Sequence, residues 1–385
     1  MLLLRNGQIH DMVTPGAYEG DLLAQGGLIK AIGKGLTAPD VDGDPVEIVD
    51  LDGAHVYPGF VDAHSHLGLD IYGIGYEGND YNELNDPITP HLRGIDSFNP
   101  FDKAVGMALA GGVTCVGTGP GSANVLGGTF FAVKTVGHRV DTMVVKDPVA
   151  MKCAFGENPK RIYRDKSISA RMNIAAKLRE TLLRARQYME QKEAAGEDVS
   201  KAPTFDLKLE ALIPVLKKEL PLKAHAHQAN DILTAIRVAK ECDVRLTLEH
   251  VTEGHLIVGE LAAEGLPCAV GPTLTHASKW ELQNKDWITP GVLAAKGLPV
   301  SIITDAPVIP QQHLSLCAAL AVQAGMDEED ALRAITINPA RHLGIADRVG
   351  SLEVGKDADF VVMKGSPLEV ASQIQGVYLC GMRFA

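Results

Sequence analysis

The hydrophobic positions of this chain change pattern twice, near residue 58 and near residue 350. Residues 1–55 contain short apolar runs broken by Gly, Asp and Pro, such as LLLRNGQI and VEIVDLDGAHV. Alternating apolar and polar positions between glycine turns are typical of a small antiparallel sheet. The tail beyond residue 350 returns to short strands in DFVVMKGSP and VYLCGMRFA. We therefore predict that both ends of the chain contribute to one β-sheet domain.

Between these ends, apolar β-branched runs alternate with longer helical patterns. The strand-like FVDAHSHL precedes the helical DKAVGMALAGG, and LKAHAHQ precedes the helical DILTAIRVAKEC and the strand-like VRLTLEHV. Strands that alternate with helices favour a parallel sheet, and eight such units close into a barrel. The predicted fold is α/β, a (β/α)8 TIM barrel over residues 58–345. A composite β-sandwich domain would comprise residues 1–57 and 346–385.

Two segments of the predicted barrel are less regular. Residues 126–150 contain two strand-like runs close together, which an insertion or a hairpin beside the barrel would explain. Residues 167–200 are rich in Arg, Lys, Glu and Ala, and we predict a long amphipathic helix that covers the barrel with its charged face in solvent.

Composition and charge exclude several classes of protein. The chain is 46% hydrophobic and 22% charged, which is ordinary for a globular protein and excludes a disordered or fibrous one. A net charge of −12 leaves no basic surplus for phosphate groups, so neither nucleic acid nor an anionic membrane is an expected partner. We find neither a secretory signal nor the roughly 18-residue apolar run of a membrane span. Six scattered cysteines without a CxxC pair favour a reducing compartment, and we predict a cytoplasmic protein.

Candidate chemistry lies where the predicted strands end. The motif DAHSH at 62–66 closes an apolar strand, and residues two apart on a strand point to the same side, so both imidazoles can reach one ion. If the motif stood alone, two exposed histidines in a turn would be the alternative. Side chains at the C-terminal ends of barrel strands converge on one cavity mouth. Three further strand ends carry ligand-type side chains: His225 with His227, His250, and Asp305.

The types of these side chains indicate a metal site. Nitrogen and carboxylate ligands without thiolates suit zinc, with manganese, iron and cobalt as open alternatives. Such an ion lowers the pKa of a bound water toward roughly 7 and polarises a carbonyl group. A carboxylate beside that water can take its proton and pass it to a leaving nitrogen. Asp305 is the candidate for this general base and acid.

Several stretches resemble the amidohydrolase superfamily. They are PGFVDAHSHLG, the strand-end histidines His225 and His250, Asp305 in ITD, and ALRAITINPARHLGIADRVGSLEVGKDADFVVM. The likeness runs over nearly the whole chain to Gly365, although residues 1–55 match only in their general pattern of short apolar runs. It is closest to the imidazolonepropionase-like and prolidase-like metal-dependent hydrolases. It implies a (β/α)8 barrel with one or two divalent metal ions per chain, of which zinc is the expected one.

The resemblance also implies metal ligands. By the family pattern, His64 and His66 hold a first metal that Asp305 completes, and His225 and His250 hold a second. Binuclear members also need a bridging carboxylate from the third or fourth strand, which is a carboxylated lysine or a glutamate.

Three residues are candidates for the bridging ligand: Glu157, Lys152 and, more distantly, Lys134. Positions 152 and 157 differ by an odd number, so both cannot face the lumen from one regular strand. We favour Glu157, because it follows Gly156 at the predicted end of the strand and needs no modification.

Three further residues are predicted to contact the substrate. His227 lies two positions beyond His225, where a substrate contact is the more common role than a metal ligand. His276 follows the seventh predicted strand in GPTLTH. Gln228 stands where deaminases and imidazolonepropionases of the superfamily usually have a glutamate that moves protons on a ring nitrogen. Glutamine can orient a substrate amide but exchanges no proton at ordinary pH, which argues against a deaminase.

One principal hypothesis and two alternatives follow. The principal hypothesis is a metal-dependent amidohydrolase that cleaves an amide or peptide-like C–N bond with a metal-activated hydroxide and with Asp305 as general base and acid. The first alternative is a mononuclear deaminase or cyclic-amide hydrolase that acts on a small heterocycle. The second is a non-catalytic barrel that serves as a binding module, although the complete ligand set argues against it. A small-molecule substrate is the expected partner, and a homodimer is the oligomeric state that the resemblance suggests.

Overall fold

The structure is a computed structural model that describes residues 1–37, 45–73 and 75–385. Its strands are β1 (Leu2–Ile9), β2 (Tyr18–Gln25), β3 (Leu28–Gly33), β4 (Glu47–Asp50), β5 (His55–Pro58), β6 (Phe60–Ser65), β7 (Val113–Thr118), β8 (Leu126–Lys134), β9 (Val144–Ala154), β10 (Leu222–Ala226), β11 (Leu246–His250), β12 (Cys268–Val270), β13 (Val300–Ile302), β14 (Phe360–Lys364), β15 (Gln373–Leu379) and β16 (Met382–Arg383). Its α-helices are α1 (Lys103–Ala110), α2 (Val140–Met143), α3 (Glu157–Ile162), α4 (Arg171–Ala195), α5 (Leu207–Glu210), α6 (Ile213–Leu216), α7 (Ala229–Glu241), α8 (Val258–Glu264), α9 (Ile288–Ala294), α10 (Leu314–Gln323), α11 (Glu328–Ala334) and α12 (Ile337–Leu343).

One sheet is built from both ends of the chain, as the return to short strands predicts. Its order is β16-β15-β14-β5-β1-β2-β3, and β4 pairs with β1. The sheet is mixed, because β1 pairs in parallel with β4 and β5, whereas β2, β3, β14, β15 and β16 join by antiparallel pairs. The exact division into two domains, at residues 57 and 346, stays a prediction.

The second sheet is the predicted barrel, in the order β6-β7-β8-β9-β10-β11-β12-β13. Its neighbours pair in parallel except at β8, which is antiparallel to both β7 and β9. The irregular segment thus forms a hairpin within the barrel sheet, because the short links on either side of β8 leave no room for a crossover helix. The TIM-barrel fold class is confirmed, with this one reversed strand.

The barrel is nearly closed by contacts between β6 and the segment that follows β13. The Asp305 amide donates to the His64 carbonyl at 3.2 Å, and the His66 amide donates to the Ala306 carbonyl at 2.7 Å. The buried Asp62 carboxylate accepts from the Thr304 hydroxyl at 2.5 Å. These contacts bring the first and last strand ends together, which places His64, His66 and Asp305 side by side.

The largest apolar cluster lies between the barrel strands and the helices around them. Leu246 and Leu248 of β11 pack there with residues of α7 and α8, and Met151 and Cys153 of β9 pack with residues of α4. The alternate residues of these strands therefore face the barrel interior. The predicted long helix is α4, which buries Ile174, Leu178 and Leu182 on one face. Among the described residues, no helix is both long and apolar enough to cross a membrane.

Candidate active site

The predicted strand-end side chains meet in one buried place. His64 and His66 come from the end of β6, His225 from β10 and His250 from the end of β11. The imidazole centroids lie 5.6 Å apart for His64 and His66, 4.9 Å for His64 and His250, and 4.3 Å for His225 and His250. Asp305 Oδ1 lies 3.3 Å from His66 Nε2 and 3.8 Å from His64 Nε2. Separate strands therefore bring these five residues together.

Two of these residues occupy an unusual backbone conformation. His250 has φ +74° and Asp305 has φ +53°. For residues with a side chain this left-handed region is costly, and strain of this kind is concentrated at functional sites. At His250 the positive φ changes the direction of the side chain. Glu249 faces inward, so regular alternation along β11 would direct the next side chain, His250, outward. The positive φ instead brings it to the mouth of the barrel.

Hydrogen bonds from the Nδ1 atoms of three rings leave their Nε2 atoms facing the cluster. His66 Nδ1 lies 2.8 Å from the Gly119 carbonyl, His250 Nδ1 lies 2.8 Å from the Gly271 carbonyl, and His64 Nδ1 lies 2.9 Å from Glu249 Oε2. Carbonyl and carboxylate oxygens only accept, so each Nδ1 carries the proton and each Nε2 keeps its lone pair when the ring is neutral. This is the arrangement in which histidine binds metals.

The unpaired buried atoms fit a cation. Within the described residues, His250 Nε2, Asp305 Oδ1 and both ring nitrogens of His225 are buried without a hydrogen-bond partner. Among the described residues, potential ligand atoms lie within 4.8 Å of one another in three groups. Two are in this site, His64 with His250 and Asp305, and His225 with His227 and His250, and the third is Asp357 with Asp359 and Cys380 beside Lys134. Buried polar atoms are normally paired, so a shared set of orphans suits a bound ion. The donor set of imidazole and carboxylate fits a divalent metal of the zinc type.

Burial prepares these side chains as ligands. It lowers the pKa of His64, His225 and His227 well below its ordinary value and lowers the pKa of His250 to about 4. Burial alone would raise the pKa of Asp305, but the neighbouring histidines outweigh burial and hold that pKa below its ordinary value. At neutral pH these four imidazoles are therefore neutral and Asp305 is ionised.

The structure separates the candidates for the bridging ligand. Lys152 faces the interior from β9, and its Nζ lies 2.8 Å from His64 Nε2. Glu157 lies beyond the end of β9, in the first turn of α3, where its Oε2 accepts from the Glu281 amide at 3.3 Å. Lys134 pairs with Asp359, away from the histidines. Lys152, and not the favoured Glu157, is thus brought to the cluster, because β9 ends three residues before Glu157.

Of the predicted substrate contacts, the structure brings only His227 into the cluster. His227 is buried, and its ring centroid is 4.6 Å from that of His250. Gln228 caps the start of α7, and its side-chain oxygen accepts from Arg171 at 2.5 Å. His276 is exposed in the loop after β12. Among the described residues, neither side chain is hydrogen-bonded to a histidine of the site.

Sequence reasoning missed a buried acid in the loop after β12. Glu281 is fully buried, and its Oε1 lies 3.5 Å from His225 Nε2 and 3.7 Å from His227 Nε2. The Lys279 ammonium lies 2.7 Å from the same oxygen. Burial raises the pKa of Glu281, but His227 and Lys279 outweigh it and leave that pKa below the ordinary value. No strand pattern marks this residue, because it is supplied by a short 3-10 turn, Trp280–Leu282.

Sequence reasoning also missed a polar group beneath the site, which we call the floor cluster: Thr247, Glu249, Lys223 and His342, all buried. Lys223 and Thr247 are interior residues of β10 and β11, and His342 comes from α12. The alternation of β11 marks Glu249 as an inward-facing acid, since Leu246 and Leu248 face outward. The sequence thus indicates an inward-facing Glu249, but the same alternation would place the adjacent His250 on the outside.

Comparisons with known proteins identify the family of this chain. The family model described as "Amidohydrolase family" matches residues 55–379. The chain belongs to the amidohydrolase family. An amidohydrolase structure from Thermotoga maritima MSB8 is 42% identical, with a TM-score of 0.95, and the match covers 100% of this chain and 99% of that one. The resemblance to amidohydrolases is therefore confirmed, and the membership supports an enzyme that hydrolyses carbon–nitrogen bonds.

Two curated relatives show how far the likeness extends. Amidohydrolase tasK of Hapsidospora irregularis is 31% identical over 94% of this chain, but the chain spans only 39% of that protein. An imidazolonepropionase of Syntrophobacter fumaroxidans is 25% identical over 97% of this chain and 93% of the relative. The amidohydrolase family is thus shared throughout, while the named activities of these relatives differ.

Proposed function

We propose that this protein is a metal-dependent amidohydrolase that cleaves an amide or peptide-like C–N bond, with Asp305 as general base and acid. The observation that carries the proposal is the set of buried imidazole and carboxylate atoms without hydrogen-bond partners at the C-terminal ends of the barrel strands. Such a set has a large desolvation cost unless a cation binds there. The strand ends of a barrel are also where enzymes of this fold place their catalytic residues.

The residues that would hold the metal are His64, His66, His225, His250 and Asp305. A divalent ion bound there lowers the pKa of water and polarises the substrate carbonyl. Asp305, which is ionised and has an oxygen free of hydrogen bonds, takes the proton of the attacking water. It then donates that proton to the leaving nitrogen, so that the C–N bond breaks as an amine departs.

We further propose Lys152, in place of Glu157, as the bridging ligand. Burial lowers the pKa of Lys152 to about 7, so a large fraction of the side chain is an amine rather than an ammonium near neutral pH. An amine adds carbon dioxide, with loss of one proton, to give the carbamate that a bridging lysine needs. Lys152→Met should lower the number of metal equivalents bound per chain, whereas Glu157→Gln should leave that number unchanged. Equal loss in the two variants would contradict the assignment.

Substrate contacts are proposed for His227, Lys279 and Glu281, which surround the cluster on the side of the loop after β12. Lys279 and Glu281 form a charged pair whose lysine is half-buried at the mouth. A polar pair of this kind suits a substrate with a charged or strongly polar group beside the scissile bond. Gln228 and His276 stay weaker candidates.

A cyclic-amide hydrolase with one metal is a second candidate. The observation that favours it is the likeness to an imidazolonepropionase over almost the full length of both chains. The hydrogen bond from Arg171 to Gln228 weighs against a deaminase, because it pairs this side-chain amide with the first residue of α4. Metal content separates the candidates: about two equivalents per chain support the amide hydrolase with a bridging ligand, and one supports the alternative.

The experiment removes the metals, reloads the protein with Zn²⁺ or Mn²⁺, and tests N-acyl amino acids, dipeptides and cyclic amides. We expect hydrolysis that is lost on chelation and restored by the metal. Turnover that is equal in the stripped and reloaded protein would contradict the proposal. The cytoplasm and a small-molecule substrate also stay proposals, as does a homodimer; the unpaired cysteines among the described residues support a reducing compartment.

A further inference from the structure

His64 differs from His66 and His250 in the hydrogen-bond acceptor of its Nδ1 atom. His66 and His250 each donate to a backbone carbonyl, whereas His64 Nδ1 donates to a carboxylate, Glu249 Oε2, at 2.9 Å. A carboxylate is a stronger acceptor than a carbonyl, and it raises the basicity of the opposite ring nitrogen. Glu249 therefore acts on His64 through the ring face opposite the candidate ligand atom.

All acceptor positions of Glu249 are filled, one by His64 and three by the floor cluster. Oε2 accepts from His64 Nδ1 and from Lys223 Nζ at 2.8 Å. Oε1 accepts from His342 Nε2 at 2.8 Å and from the Thr247 hydroxyl at 2.8 Å. A carboxylate offers about four acceptor sites. With four donors in place and no exposed surface, Glu249 has no position left for a metal ion or a reacting water.

The opposite face of His64 gives an independent indication of the same ring state. Its Nε2 lies 2.8 Å from Lys152 Nζ and 3.8 Å from Asp305 Oδ1, on the side of the other histidines. The charged Lys152 ammonium has only hydrogens to donate, so in that form Nε2 accepts. The contact with Glu249 thus requires the proton on Nδ1, and the contact with Lys152 is compatible with the lone pair that remains on Nε2.

We propose that Glu249 is a positioning residue for the candidate metal centre, which holds His64 in its Nδ1–H form and directs Nε2 toward the metal position. Lys223 and His342 hold Glu249 in turn, so that a residue of α12, outside the barrel sheet, contributes to the geometry of the site. This inference rests on the proposed function, because it assumes that His64 is a ligand.

The test compares two buried acids, each paired with a buried lysine. Glu249→Gln removes the charge that orients His64, and Asp359→Asn removes a charge that pairs with Lys134 and touches no site histidine. Zinc affinity of the metal-stripped proteins is measured by competition with a chromophoric chelator. Loss of a residue that orients a metal ligand typically weakens affinity about 10–100-fold. We expect that loss for Glu249→Gln and less than a twofold change for Asp359→Asn.

A second measurement reports on the ring itself. Nitrogen-15 NMR of histidine-labelled, metal-stripped protein distinguishes the two neutral forms of His64, whose signal is assigned by its loss in His64→Gln. We expect the Nδ1–H form in the wild type and a redistribution of the proton in Glu249→Gln. A role confined to stability would leave this distribution unchanged.

If Glu249→Gln does not fold, His342 provides the same test from outside the barrel sheet. His342→Gln keeps a donor toward Glu249, whereas His342→Leu removes it. We expect a several-fold loss of zinc affinity in the leucine variant and recovery in the glutamine variant.

The outcomes separate this inference from the proposed function. A wild type that binds no metal contradicts the proposed function. A wild type that binds zinc, with Glu249→Gln and His342→Leu both within twofold of it, overturns the positioning role alone.

Discussion

Two buried clusters in this molecule pair a lysine with one or two carboxylates. They differ in whether they contact a histidine of the candidate site. The floor cluster joins Lys223 to Glu249 inside the barrel. The second, which we call the junction cluster, joins Lys134 of β8 to Asp357 and Asp359 just before β14, at 2.7 and 2.9 Å. It thereby links the barrel sheet to the sheet of the chain ends.

Similar buried charges have different roles in the two clusters. In the junction cluster, both carboxylates point at one ammonium, and Arg348 adds a second cation to Asp357 at 2.8 Å. That cluster contacts no histidine of the candidate site, so its effect falls on packing between the sheets. In the floor cluster, one donor is His64, whose far nitrogen faces the candidate metal position. Its effect is therefore transmitted to the chemistry of the site.

The largest expected effect lies above the floor cluster, at Asp305. Asp305→Asn keeps the shape of the side chain but cannot take a proton from water. Proton transfer by a positioned group contributes about 10²–10⁴-fold to the rate, so kcat for the best amide substrate should fall by that factor. Asp243→Asn, which alters an exposed ion pair with Lys218, is the control and should keep full turnover. Unchanged kcat in Asp305→Asn would contradict the role of Asp305 as general base and acid.

The junction cluster should show the opposite behaviour, a loss of stability without a loss of chemistry. Lys134→Met leaves Asp357 and Asp359 buried without their shared ammonium. Breaking a buried pair by removing one partner costs about 3–5 kcal/mol, to be measured as the free energy of unfolding in urea. The kcat of the folded variant should equal that of the wild type. If stability stays within about 0.5 kcal/mol, the junction cluster does not hold the sheets together.

A pH series distinguishes the site from the junction cluster, which contains no histidine. The pKa of His250 falls to about 4 in the folded chain, below its ordinary value of 6.5, because the ring is buried. The unfolded chain therefore takes up this proton first, so metal-stripped protein is most stable above pH 6.5 and loses stability as the pH falls toward 4. One such group accounts for about 3 kcal/mol over this interval.

The measurement is the free energy of unfolding of the metal-stripped protein at several pH values. His250→Asn should make the acid slope less steep, with His64, His225 and His227 still contributing to it, while Lys134→Met should keep the slope unchanged. A wild-type slope that His250→Asn leaves unchanged would show that this ring does not carry the effect.

The smallest expected effect is at Thr247, whose hydroxyl donates to Glu249 Oε1. Thr247→Val removes one of four donors and keeps the shape of the side chain. A single hydrogen bond to a charged group contributes about 1.5–3 kcal/mol at most, and the remaining donors retain the carboxylate. We expect less than a threefold change in zinc affinity. A loss as large as that of Glu249→Gln would mean that the floor cluster acts as an indivisible unit.

Much of the fold and part of the site were predictable because alternation and strand ends are local properties. The barrel, the sheet of the chain ends and the convergence of His64, His66, His225, His250 and Asp305 follow from them. The direction of β8 was not, since it depends on which strands become neighbours.

Two residues show what local patterns leave out. The sequence does not mark the end of β9 at Ala154, and a shift of three residues places Glu157 in the first turn of α3 instead of on the strand. Strict alternation cannot place Glu249 and His250 on the same side, whereas the positive φ of His250 does so. Glu281 lies on a loop whose position depends on the whole fold.

The central claim, that the strand-end cluster is a metal centre, is tested most directly by zinc binding to metal-stripped protein. We predict uptake of at least one equivalent by the wild type and by His313→Asn, which alters an exposed histidine. His250→Asn removes a ligand. Its loss of zinc affinity should exceed the loss of about 10–100-fold that is expected when a residue that orients a ligand is removed. Equal zinc affinity in His250→Asn and the wild type would contradict the claim.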